Sequence, residues 1–133
     1  MQQKNIERIV RDFFQSQSSI RLVFLFGSAS KGRLTNESDI DIAVLFEKTP
    51  DYFQIQQIAG KLEETLQREV DLVVLNAASP ILRMQVLKYG SLIIGSDSND
   101  FKKFFGDTIN QYEDLKRIRS AGEKNILKGG IYG

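Results

Sequence analysis

The sequence predicts an α/β fold, in which a mixed sheet of about four strands is flanked by helices. Short apolar segments rich in branched and aromatic residues, typical of buried strands, alternate with longer segments whose apolar residues recur at helical spacing. Strands separated by helices are typical of a sheet with helices packed against it. The length of 133 residues fits one domain, so residues 1–133 are expected to form a single unit.

The elements follow from apolar spacing and from residues that start or end helices. In chain order we expect a helix over 5–17, buried strands over 20–26 and 40–46, a helix opening at Pro50 and Asp51 and running to about residue 68, a third buried strand over 70–75, a helix over 80–89, a short strand over 92–94 and a last helix over about 100–121. Ser79 is the expected cap of the helix that begins at Pro80, and Gly90 its C-cap. Residues 27–32 are expected to form a short helical turn, 33–38 a loop and 128–133 a flexible tail.

Composition excludes several kinds of chemistry. The chain has no cysteine and no histidine, which excludes disulfides, thiol nucleophiles, histidine bases and nearly all transition-metal sites. A net charge of +1 is not the basic excess of a nucleic-acid binder, so direct nucleic-acid binding is not expected. The polar N-terminal segment is no signal peptide, and no apolar run is long enough to span a membrane. The chain is therefore expected to be a cytoplasmic protein.

Three aspartates lie where apolar strands are predicted. Asp39 and Asp41 stand at the start of the second strand, and Asp71 stands in the third. Aspartate is depleted in strands, and a buried carboxylate is costly unless it is paired or bound to a cation. Asp39 and Asp41 are two residues apart, so both are expected on one face of the strand. If Asp71 lies on a neighbouring strand, three carboxylates converge, and the cation that suits them is Mg²⁺ or Mn²⁺.

The segment after the first strand has the features of a phosphate-binding turn. Gly27 and Ser28 follow the strand directly, and a helical turn is expected next. Glycine lets the backbone approach an anion closely, backbone N–H groups and the serine hydroxyl donate to phosphate oxygens, and Lys31 and Arg33 carry positive charge. The P-loop pattern is not met, because Leu34 stands where a metal-binding hydroxyl is needed.

The turn and the aspartates together resemble a known family. The segments G-S-A-S-K-G at 27–32, S-D-I-D-I at 38–42 and V-D-L-V at 70–73 are similar to the motifs of minimal nucleotidyltransferases of the polymerase-beta superfamily. The resemblance covers about residues 5–95 and implies a small palm-like nucleotidyltransferase domain. Within the superfamily the chain looks most like the antitoxin half of HEPN–MNT (HepT–MntA) toxin–antitoxin pairs. Lys31 is a departure, since many relatives carry arginine there.

This resemblance implies an ATP-dependent adenylyltransferase that moves AMP to a tyrosine of a partner HEPN ribonuclease and so silences it. Asp39, Asp41 and Asp71 would then be the catalytic and metal-binding residues of a two-metal site. Gly27, Ser28 and Lys31 would bind the phosphates of ATP. The protein is expected to form a hetero-oligomer with its toxin.

Two other interpretations share parts of this pattern. A nucleotidyltransferase with a small-molecule acceptor, such as an aminoglycoside, would have the same three carboxylates but usually an added acceptor-binding domain. An inactive antitoxin would block its partner sterically, although all three carboxylates are present here. The aromatic residues of the last helix, among them Phe104, Phe105 and Tyr112, are interpreted as core, with a partner interface as the alternative.

Overall fold

The computed structural model describes residues 3–26, 39–95 and 99–129. The described elements are α1 (Gln3–Gln15), β1 (Ile20–Phe26), β2 (Ile40–Phe46), α2 (Tyr52–Leu66), β3 (Val70–Val74), a 3₁₀ helix (Leu75–Ala77), α3 (Pro80–Tyr89), β4 (Ser91–Ile94) and α4 (Asn99–Gly129). Their order confirms the predicted α/β class, and the four strands form one mixed sheet.

The sheet has the strand order β3-β2-β1-β4. β1 runs antiparallel to both β2 and β4, whereas β2 and β3 are parallel and are connected through α2. The two central strands are mostly buried, as predicted. β3 lies at the edge of the sheet and is only partly buried, so the prediction of a third fully buried strand was wrong.

Helices cover both faces of the sheet. Val23 and Ile42 belong to a core that α1 and α2 complete, whereas Phe24 and Ala43 belong to a second core with α3 and α4. Residues two apart in a strand point the same way, so Asp41 faces the side of Ala43. The candidate carboxylate therefore lies on the face that α3 and α4 cover.

Side-chain caps confirm two predicted helix starts. The Asp51 carboxylate accepts a hydrogen bond from the Gln54 backbone N–H at 2.8 Å, and the Gln54 side chain accepts one from the Asp51 backbone N–H at 3.1 Å. This reciprocal pair is a capping box at the start of α2. The Ser79 hydroxyl accepts from the Leu82 backbone N–H at 3.2 Å and caps α3, whose first residue is Pro80.

Gly90 ends α3 as predicted, but for a different physical reason. Its φ is −84°, which any residue can adopt, so the left-handed cap typical of glycine is not formed. A Cβ at this position would lie 2.5 Å from the carbonyl oxygen of Val86 and 3.4 Å from the Cβ of Phe26. Glycine is needed here because any side chain would clash with the Val86 carbonyl oxygen in the last turn of α3, whereas the separation from Phe26 is an ordinary contact.

The bounds of α1, β3 and α4 differ from the predictions, and β4 begins at Ser91 rather than at residue 92. α1 spans Gln3–Gln15 rather than 5–17. β3 ends at Val74, because the next residues form the 3₁₀ helix, whose Asn76 side chain hydrogen-bonds the end of β2. α4 continues to Gly129 rather than ending near residue 121, so residues 128 and 129 of the predicted tail are helical. The predicted turn at 27–32 and the loop at 33–38 lie outside the described residues.

Candidate active site

The end of the sheet where β2 and β3 begin holds the three predicted aspartates. Asp41 in β2 and Asp71 in β3 are direct register partners across the parallel pair. Neighbouring strands are spaced about 4.8 Å apart, so the two carboxylates leave the same face as near neighbours. Asp39 is the residue before β2 and is exposed. On the other side of β2, Asp41 is paired with Phe26, the last residue of β1.

Two hydrogen bonds hold the starts of these strands in place. The Ile40 backbone N–H donates to the carbonyl oxygen of Glu69 at 2.9 Å, just before the first register pair of β2 and β3. The Glu63 carboxylate, on α2, accepts from the Val70 backbone N–H at 3.1 Å. The crossover helix therefore anchors β3 directly, and this anchoring supports the register that sets the two carboxylates side by side.

The surroundings of Asp41 disfavour the ionised form of its carboxyl group. Burial raises the pKa of Asp41 above its ordinary value of 3.8, and the negative charges of Asp71 and then Asp39 raise the pKa further. Asp41 is half-buried, whereas Asp39 and Asp71 are exposed. Asp41 lies within electrostatic reach of both other carboxylates, so a positive charge bound beside it would be stabilised.

The oxygen atoms of the three aspartates suit a hard divalent cation, although the three side chains do not surround a single point. Carboxylate oxygens are the ligands that Mg²⁺ and Mn²⁺ prefer. Within residues 3–26, 39–95 and 99–129, no three acidic side chains are drawn together closely enough to hold one ion. The structure thus brings Asp41 and Asp71 together with Asp39 nearby, and the metal assignment stays a prediction.

The predicted phosphate-binding residues fall in an undescribed segment. Gly27, Ser28 and Lys31 lie outside the described residues, as do Arg33 and Ser38. Their assignment to ATP binding stays a prediction.

The aromatic residues of α4 divide between core and surface. Phe104 is buried and packs against Phe24 of β1, with ring centroids 6.0 Å apart. Phe105 is 48% exposed, and Tyr112 is half-buried. The core interpretation is therefore confirmed for Phe104 and wrong for Phe105.

A cavity of about 820 Å³ opens at the other end of the sheet, between α1, α2 and the segment after β2. Phe13, Phe46 and Lys61 contribute to its wall, and none of the three aspartates does.

Each helix in the described part of the chain is too short or too polar to cross a membrane.

Sequence reasoning missed the position of the end of α3 relative to the carboxylates. Ser91 of β4 is paired with Leu25 of β1, so the preceding residue, Gly90, lies beside Phe26. Phe26 in turn is paired with Asp41. The order of strands in a sheet is a long-range property, and no local pattern in the sequence reports it.

The fold and the carboxylates agree with a known family. The chain belongs to the polymerase beta nucleotidyltransferase family, whose model matches residues 8–99. It is 38% identical to the protein adenylyltransferase MntA of Shewanella oneidensis over 121 residues, which cover 91% of this chain and 86% of that protein.

Solved structures give the same result. The chain matches one chain of a crystal structure of a toxin–antitoxin with AMP-PNP, with a TM-score of 0.79 and 34% identity, over 91% of this chain and 98% of the other. It also matches a chain from a structure of the tri-AMPylated Shewanella oneidensis HEPN toxin in complex with MNT antitoxin. There the TM-score is 0.75 and the identity 32%, over 94% of this chain and 98% of the other.

Proposed function

We propose that this protein is an ATP-dependent protein adenylyltransferase that transfers AMP to a tyrosine of a partner HEPN ribonuclease toxin and thereby acts as its antitoxin. The partner would form a hetero-oligomer with it in the cytoplasm. The observation that carries the proposal is the pairing of Asp41 with Asp71 at one end of a polymerase-beta sheet. The names of the similar proteins, an adenylyltransferase and a toxin–antitoxin with an ATP analogue, support the nucleotide and the partner.

The three aspartates would hold the cation that the reaction needs. Asp39, Asp41 and Asp71 supply only oxygen donors, and Asp41 already bears the repulsion of the other two. Mg²⁺ or Mn²⁺ bound there would offset the charge of the triphosphate and of the transition state. Gly27, Ser28 and Lys31 are proposed to bind the phosphates from the segment that follows β1.

The transfer itself is a displacement at the α-phosphorus of ATP. The tyrosine oxygen of the partner forms a bond to this phosphorus, the bond to the bridging oxygen breaks, and pyrophosphate leaves. The phenol proton must go to a base, because an unperturbed tyrosine has a pKa of about 10. Asp71 is exposed beside Asp41 and is proposed to accept this proton.

Intact mass spectrometry tests the proposal. The protein is mixed with ATP, Mg²⁺ and the product of the adjacent gene, and the mass of each chain is measured. We expect the neighbour to gain the mass of one or more AMP groups, and Asp41→Ala to abolish the gain while leaving the complex intact.

The other outcomes separate the alternatives. A stable complex without any mass gain contradicts the transfer and favours steric inhibition by an inactive antitoxin. Neither complex nor mass gain contradicts the protein acceptor and directs the search to small-molecule acceptors.

Cation dependence of nucleotide binding tests the metal assignment separately. A ligand that binds only the folded state raises the melting temperature. We expect ATP to raise it in the presence of Mg²⁺ or Mn²⁺, and to have little effect in chelator or in Asp41→Ala. Equal stabilisation by ATP in chelator would contradict a nucleotide site that depends on a cation.

A further inference from the structure

One row of residues runs across the sheet at the candidate active site. Asp71 is paired with Asp41, and Asp41 with Phe26. Gly90 lies on the far side of Phe26, where its hypothetical Cβ would be 3.4 Å from the Phe26 Cβ. With strands about 4.8 Å apart, Gly90 is about 10 Å from Asp41, two strand spacings along this row.

The last residue of α3 is therefore held at the rim of the site. α3 packs on the face of the sheet that also carries Asp41, through Val86 and Leu82. Gly90 lies beside Phe26 of β1, and the residue just before it is Tyr89. Tyr89 is 58% exposed although the next residue lies beside β1.

The geometry points to Tyr89 as a residue that binds the adenine base of ATP by stacking. This inference rests on the proposed function and adds to it the residue that would favour a purine nucleotide. With the phosphates held near Asp41, the ribose and base would extend along the surface, and the base is proposed to lie at Tyr89. A base can stack on an exposed aromatic ring, and the larger purine ring system has more area for such a contact than a pyrimidine.

The other strongly exposed tyrosine of the described residues provides a matched control. Tyr52 is 76% exposed and is the first residue of α2. It follows the end of β2 at Phe46, whereas Asp41 stands at the beginning of that strand. The two tyrosines thus share a chemical group and an exposed position but lie at opposite ends of the sheet.

Steady-state kinetics of AMP transfer to the partner protein test the inference. In Tyr89→Ala we expect the KM for ATP to rise about tenfold with little change in kcat, because stacking acts on nucleotide binding. Tyr89→Phe keeps the ring and is expected to restore the wild-type KM. The preference for ATP over CTP, measured as the ratio of kcat/KM values, is expected to fall in Tyr89→Ala. Tyr52→Ala is the control and is expected to match the wild type.

Two results would overturn the assignment of Tyr89. One is an unchanged KM for ATP in Tyr89→Ala. The other is a Tyr89→Phe variant as impaired as Tyr89→Ala, because the hydroxyl would then be the active group. If the wild-type protein transfers no AMP, the proposed function fails instead. In that case, displacement of a fluorescent ATP analogue by ATP still compares the affinities of the wild type and Tyr89→Ala, and equal affinities would refute the stacking.

Discussion

The two ends of the sheet differ in how their polar groups are partnered: at one end they hydrogen-bond to each other, and at the other they carry like charges. Where β2 ends, the Asn76 side chain donates to the Phe46 carbonyl oxygen and accepts from the Phe46 backbone N–H, each at 2.9 Å. Arg83 donates there to the carbonyl oxygens of Leu75 and Asn76, at 2.9 and 3.1 Å. Where β2 begins, the half-buried Asp41 faces like charges, which raise its pKa after the effect of burial.

The difference separates groups that stabilise the fold from groups that are available for chemistry. Polar groups that satisfy one another contribute to stability, and removing one partner leaves the other unpaired. Carboxylates that repel one another oppose folding slightly, and a bound cation or substrate would stabilise their negative charges. We therefore call the end with Asn76 the structural end, and the end with Asp41 the proposed functional end.

Asp41→Asn tests the functional end and has the largest expected effect. We expect AMP transfer to fall by about 10³-fold or more, since the proposed cation ligand is lost. The melting temperature is expected to stay unchanged or to rise, because one of three repelling charges is removed. Transfer rates and thermal unfolding of the same preparation give both values. A variant with reduced activity and a lower melting temperature would contradict the separation of the two ends.

Asn76→Ala tests the structural end and is expected to have the opposite result. It leaves the backbone N–H and carbonyl of Phe46 without these partners, which should lower the free energy of unfolding by about 1–3 kcal/mol. The rate of AMP transfer by the folded protein should change little. Denaturant unfolding measures the first effect, and Asn110→Ala, an exposed position on α4, is the control. Unchanged stability in Asn76→Ala would show that these two hydrogen bonds are not needed.

The titration of Asp41 gives the smallest expected effect. Its pKa is raised in the folded protein, so the folded state binds the proton more tightly than the unfolded state. The stability that this group contributes is present at low pH and is lost as the pH rises from 3.8 through the raised pKa. In Asp71→Asn the neighbouring charge is removed and the pKa of Asp41 is expected to fall. NMR of the Asp41 carboxyl in metal-free buffer measures this, and an unchanged pKa would contradict the proximity of the two carboxylates.

Local patterns predicted β1, β2 and the starts of α2 and α3 well. β1 and β2 have the predicted bounds, and the caps at Asp51 and Ser79 form as expected, because these features depend on residues close in sequence. The end of β3 was missed because the Asn76 side chain bonds to a strand thirty positions away. The end of α4 was missed as well, since the helix passes through Gly122 without interruption.

The sequence singled out the residues of the candidate site, but that β2 and β3 are neighbours had to be assumed. The positions of Asp39, Asp41 and Asp71 in apolar segments singled them out, since a carboxylate there needs a reason. Their order in space depends on the pairing of β2 with β3 rather than on spacing along the chain. The same pairing, continued through Phe26 to Gly90, brings Tyr89 to the rim, and only the complete sheet reveals this.

Asp41 and Asp71 come together only when β2 and β3 pair in the correct parallel register. A slip of one residue between these strands would turn Asp71 to the opposite face from Asp41 while leaving the helices formed. α2 supports this register through the hydrogen bond that Glu63 accepts from the Val70 backbone N–H, so loss of the Glu63 carboxylate would weaken the pairing of the two strands. One residue inserted between the paired positions of β2 or β3 would likewise shift this register and separate the two carboxylates.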